Sequence, residues 1–227
     1  MELLKLCIEL SYAYAYDLHM HISLGTLPFH RVAVLASVDA VNAVTRDDLA
    51  RPTPCVGWDL ATLLAHMTVQ HRGFVAAARG GTDLDVWDPS TVAEAVAADP
   101  AGSYSAAADD VLKAFEADGV LEATFTLPEF GPGATFPGAM AIGFHFVDYV
   151  VHGWDVARSV DAAFELPRDV IEAVLPIAFA VPDGEFRNAE DSPFRRAVAV
   201  DDEVSDMDRL LAHLGRSPAW TSLSVQR

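Results

Sequence analysis

The chain has 227 residues, 52% of them hydrophobic and 21% charged, which is enough for one sizeable core and inconsistent with disorder. A formal net charge of −18 repels phosphate backbones and anionic bilayers, so neither nucleic acid nor a membrane surface is expected as a partner. The two cysteines, Cys7 and Cys55, form no metal motif and no disulfide framework, and a cytoplasmic location is expected on that ground.

Residues 1–31 are apolar but interrupted by Glu2, Lys5, Glu9 and Asp17, and they lack the basic segment and clean apolar run of a targeting signal. They are read as an N-terminal extension, with Met20 as an internal methionine at which a chain could start. Residues 32–45 have helical spacing, with Val34, Leu35, Val38, Val41 and Val44 on one side. The loop "RPTPCVGWD" delivers the chain to a helix from about 59 to 79, closed by Gly80-Gly81. An Ala-rich stretch, 91–118, is split at Pro100-Ala101-Gly102. "EATFTLPEFGPGATFPG" has β-branched and aromatic residues around a Pro/Gly turn and is read as a short hairpin. A long helix is expected over 138–160, another from Pro167 to about Ala180, and a last short one in "DMDRLLAHLGRSP", stopped by Gly215. The longest uncharged run, 130–147, holds two prolines and four glycines and is no membrane span.

The stretch "HFVDYVVHGWDVA", residues 145–157, carries the chemistry. On a helix His145, Asp148, His152 and Asp155 fall within roughly 80° of arc, and the rest of the surface is apolar. Such a helix is buried, and its polar stripe needs a partner inside the protein. That partner is either a cation from the protein, which has only 15 Lys and Arg, or a metal ion. Asp148 and His152 lie one turn apart on one face and can converge on one ion. A third ligand must come from another helix. His66, among Leu63, Leu64 and Met67, is the better candidate, because His71 lies about 140° further round. Two imidazoles and a carboxylate suit zinc with an open position, with nickel, iron or cobalt as alternatives. His145 is about 10.5 Å along the axis from His152, and its side chain leans away from the ion. It is therefore expected on the pocket wall as a general base toward a thiol or water, rather than as a ligand. Cys55 is read as a small loop residue, Trp58 and Trp154 as packing anchors, and Arg158 as pairing Asp155 or Asp161. Asp155 is read either as orienting His66 or as facing solvent.

"RPTPCVGWDLATLLAHM", followed some 80 residues later by "DYVVHGWDVARSVD" and closed by "DMDRLLAHLGRSPAW", resembles the actinobacterial metal-binding proteins of the DinB-like superfamily. That group includes the N-terminal domain of mycothiol-dependent maleylpyruvate isomerase. The resemblance covers about 32–221. It implies a mainly α fold, a four-helix bundle with a divalent metal held by a His on the second helix and by an acid and a His on a later one. His66, Asp148 and His152 match those positions. The acid in the isomerase is Glu, and Asp is shorter. The expected organisation is a metal-binding bundle over 32–160, with a hairpin-like insertion, and a small helical extension over 161–227 packed on it. The resemblance, with an open metal position, implies a metal-dependent thiol transferase or isomerase with mycothiol or a similar thiol as cosubstrate and a small electrophile as substrate; a monomer or homodimer is expected. A metal-dependent hydrolase and a non-enzymatic binding or sensing bundle are the alternatives.

Overall fold

The structure, a computed structural model, describes residues 25–189 and 192–222. Seven α-helices, five short 3-10 turns and one two-stranded sheet are its regular elements among those residues. Four long helices form the bundle: α1 Thr26–Asn42, α2 Leu60–Ala78, α4 Pro100–Phe115 and α5 Gly138–Ser159, with the short α3 Ala93–Ala98 ahead of α4. Helix α1 packs on α4 and α5, and α2 packs on the same two from the other side. The fold is the expected mainly α, DinB-like bundle.

Local chemistry sets each boundary. Asp59 caps α2, its Oδ1 accepting from the Thr62 N–H at 2.9 Å. The loop before it is closed by backbone bonds from Leu60 to Arg51 and from Ala61 to Leu49, at 3.0 and 2.9 Å. Pro100 opens α4 at the first turn, where its missing N–H costs nothing, under an Asp99 cap. Sequence periodicity starts that helix at Ser103, three residues late. Helix α1 also starts earlier than its pattern, at Thr26, because Pro28 falls in the first turn and is tolerated there. Residues 26–31 thus belong to the bundle. Most of the expected extension, including Met20 and Cys7, lies outside the described residues.

The hairpin pairs β1 Thr124–Thr126 with β2 Thr135–Pro137 in antiparallel register, Phe125 opposite Phe136. Both of these phenylalanines turn inward and are buried. Beyond the bundle, α6 Arg168–Phe179 and α7 Asp206–His213 pack against each other, and α6 also packs on α1 and α5. Val170, Val174, Ala178, Leu210, Leu211 and Leu214 cover Phe146, Val147, Val150, Val151 and Trp154 of α5. This cover explains why α5 is apolar nearly all round: the bundle takes one face and the C-terminal helices take the other. No helix among the described residues is long and apolar enough to cross a membrane.

Candidate metal centre

Helices α2 and α5 run antiparallel side by side, and three contacts fix their register. The His66 and His152 rings meet edge to face at 5.3 Å, Tyr149 Oη donates to the Met67 carbonyl, and His71 stacks on Tyr149 at 4.0 Å. The polar stripe of α5 divides along this groove into two separate clusters.

The first cluster joins His66, Asp148 and His152, with one donor atom from each lying within 4.8 Å of the others. His152 Nε2 is 3.3 Å from Asp148 Oδ1. Two donors on one tetrahedral zinc at about 2.1 Å would stand about 3.4 Å apart, so this edge already fits. Burial holds His66 down to about 4, aided by the nearby His152 charge, so its imidazole is neutral and free to coordinate. Burial pushes the Asp148 carboxyl upward, but His152, His66 and Arg216 outweigh it and keep the group ionised. The Asp148 side chain is 27% exposed against 8% for His152, so the cluster opens to solvent on the Asp148 side. Trp58 closes the other side, its ring 4.9 Å from that of His66.

Behind His152 stands a second layer. Asp155 Oδ2 lies 2.9 Å from His152 Nδ1, which leaves Nε2 facing Asp148. A histidine ligand oriented by a carboxylate on its second nitrogen is a recurring device of metal sites. The expectation that Asp155 orients His66 or faces solvent is corrected here: Asp155 is fully buried and holds His152. Arg216, which follows α7, donates from Nη2 to Asp155 Oδ2 at 3.2 Å and to Cys55 Sγ at 3.3 Å. Gly215 makes this possible: its φ of +81° turns the chain, and an added Cβ would lie 2.6 Å from the Arg195 carbonyl. Cys55, His152 and Asp155 also lie close enough to hold an ion. There, however, a guanidinium already meets both the sulfur and the carboxylate and supplies the cation. Burial lowers the His152 pKa, but Asp148 and the bonds to Asp148, Asp155 and Cys55 raise it well above the ordinary value. Without an ion, His152 is therefore an imidazolium between two carboxylates.

The second cluster is a chain of three buried histidines. His30 Nε2 lies 2.8 Å from His145 Nδ1, and His145 Nε2 lies 3.1 Å from His71 Nδ1. His145 is thus separated from its expected place on the pocket wall: it has no exposed surface and both ring nitrogens are engaged. Of the sequence-derived site residues, the structure brings together His66, Asp148 and His152 and sets His145 apart from them.

Sequence reading missed His30 and Arg216. His30 sits in a segment read as extension, and Arg216 meets Asp155 across 61 positions, where no local spacing could reveal it. Arg158, expected to pair Asp155 or Asp161, instead donates to the carbonyls of Pro218 and Trp220. Cys55 is more than a filler, since it touches the supporting layer of the site.

A helical bundle whose central groove gathers two imidazoles and a carboxylate defines a protein of the DinB-like helical class with a candidate metal site. Within that class the chain belongs to the family described as mycothiol maleylpyruvate isomerase N-terminal domain, which matches residues 31–157. Two Mycobacterium tuberculosis relatives, "Uncharacterized protein MT0763" of strain CDC 1551 and "Uncharacterized protein Rv0738" of strain H37Rv, are each 28% identical over 186 residues, covering 82% of this chain and 91% of theirs. The crystal structure of the mycothiol-dependent maleylpyruvate isomerase is similar in fold, with a TM-score of 0.54 at 13% identity. The alignment covers 67% of this chain and 66% of the isomerase, about two thirds of each.

Proposed function

We propose that His66, Asp148 and His152 hold one divalent cation, zinc by the donor set, and that the site brings a low-molecular-weight thiol of the mycothiol type to a small electrophile. The observation that carries this reading is the convergence of three donors from two helices on a groove open on one side, with Asp155 and Arg216 fixing His152 from behind. Nickel, iron and cobalt accept the same donors. Bound there, the cation would lower the pKa of a thiol at the open side and so favour thiolate at neutral pH.

The protein's own groups do the rest. His66 is neutral and offers a lone pair. Asp148 brings negative charge to the mouth. Asp155 keeps His152 oriented, and Arg216 keeps Asp155 ionised despite full burial. Trp58 shields His66 from water. The thiol half of the proposal is supported by the family to which residues 31–157 belong. A thiol cosubstrate of this type is consistent with a cytoplasmic location. All three candidate ligands come from one chain, so a monomer suffices for the site.

The test is a thiol titration of metal-loaded and metal-stripped protein, followed by thiol consumption in the presence of a panel of small electrophiles. Metal-dependent thiol binding with consumption of an electrophile is expected. Ester or amide cleavage without thiol would assign a hydrolase instead, and thiol binding without turnover would assign a binding protein.

A further inference from the structure

The hairpin between α4 and α5 places one more carboxylate beside the cluster. Its turn carries Glu129 and Phe130. Glu129 Oε1 accepts from Gln70 Nε2 at 2.8 Å. Gln70 is buried and lies one turn beyond His66 on α2. Phe130 stacks on Phe144 at 5.2 Å, and Phe144 lies one turn before Asp148 on α5. Because α2 and α5 are antiparallel, those two anchors stand at the same level of the groove. The turn therefore crosses the groove about one helical turn, or about 5.4 Å, along from the His66–Asp148 pair. Phe130 is further wedged by Phe136 at 5.0 Å, so the turn is held on both sides.

The charges facing Glu129 agree with that position. From α2 it meets the Gln70 amide, and from α5 it feels Asp148. Tyr149 of α5 in turn feels Glu129. Glu129 is an exposed residue whose carboxyl is partly desolvated by its neighbours; that desolvation, and Asp148 with it, push it above its ordinary range, while the Gln70 bond partly opposes them. An acid–base group serves best when its proton affinity lies near the working pH and a reacting atom fits between it and the site.

We infer that Glu129 is the proton acceptor of the site, presented by the hairpin to whatever S–H or O–H donor sits at the open side of the cluster. This rests on the reading of that cluster as a metal site. In the step, the S–H bond breaks, its electron pair stays on sulfur, and the proton forms an O–H bond on the Glu129 carboxylate. The neutral carboxylic acid can return that proton to the product carbon or to water, so no further reagent is needed.

Cobalt(II) alone is the probe, followed by the pH dependence of its visible spectrum in the intact protein. Wild type and Glu129→Gln are expected to take up equal cobalt. The acid limb of the wild-type titration should vanish in Glu129→Gln or move by at least about one pH unit, a tenfold change in proton affinity, and Glu129→Asp should restore it. Superimposable profiles for wild type and Glu129→Gln overturn the inference while leaving the metal reading intact. Loss of cobalt from Glu129→Gln also overturns it, by making Glu129 a ligand. A wild type that takes up no cobalt overturns the metal reading, and this inference with it.

Discussion

His152 stands between two carboxylates, and each has a separate task. Asp148 faces the open groove, whereas Asp155 is sealed beneath with Arg216 as its cation. Removing the Asp155 charge while keeping its shape, as Asp155→Asn, is expected to weaken metal binding by about 10–100-fold, measured by competition with a chelator of known affinity. Unchanged affinity would mean that Asp155 merely pairs Arg216. The reverse deletion, Arg216→Met, leaves the fully buried Asp155 carboxylate with the His152 imidazolium as its charged partner. In metal-stripped protein it is expected to cost about 1.5–3 kcal/mol of stability in denaturant unfolding, the loss of a hydrogen bond to a charged group. A loss below about 1 kcal/mol would show that His152 alone satisfies Asp155. At this scale the sequence was informative only locally. Asp148 and His152 were legible because a four-residue spacing fixes their common face. His66 was legible because a polar residue stood alone on an apolar face. Asp155 was misassigned because its true partners depend on which element closes over α5, and helical spacing carries no information about that.

The helices themselves were legible because their apolar positions recur at helical period and their ends carry Gly, Pro and capping Asp residues. Errors fell at first turns that carry a proline, Pro28 in the helix from Thr26 and Pro100 itself. The hairpin was legible from its aromatic residues and turn, but its place across the groove was not. That place depends on Gln70 and Phe144, which lie on two different helices. The C-terminal segment shows how an element distant in sequence enters the site. Gly215 ends α7 with φ of +81° and passes tightly under the Arg195 carbonyl, which aims Arg216 at Asp155. Gly215→Ala introduces both a disfavoured backbone conformation and a contact of 2.6 Å with backbone. It is expected to destabilise the protein by about 1–3 kcal/mol and to weaken metal binding in step. Thermal unfolding and a metal titration of that variant check both; a loss of stability with metal affinity unchanged would detach the C-terminal turn from the site.

Across the whole molecule, the buried histidines set the response to acid. Burial holds His30 down to about 3, and burial with neighbouring histidines holds His71 and His145 well below the ordinary value. In the unfolded chain each takes a proton near pH 6.5, so below that the unfolded state binds more protons and folding weakens. Each of the three contributes about 1.4 kcal/mol per pH unit in that window. His152 does not compensate there. Its folded pKa is raised, so its contribution is fully present below the unfolded value and fades only as pH rises through the folded one. Metal-stripped protein is therefore expected to lose thermal stability steeply from pH 6.5 to pH 5. A flat profile over that range would show the histidine chain to be protonated in the native state.

The central claim is that His66, Asp148 and His152, rather than Cys55, His152 and Asp155, hold an ion. Elemental analysis of the purified protein and its variants tests it most directly. About one divalent ion per chain is expected in wild type and in Cys55→Ser, and close to none in His66→Ala or His152→Ala. Metal retained in full by His66→Ala but lost from Cys55→Ser, or a wild type that holds none after reconstitution, would contradict the account.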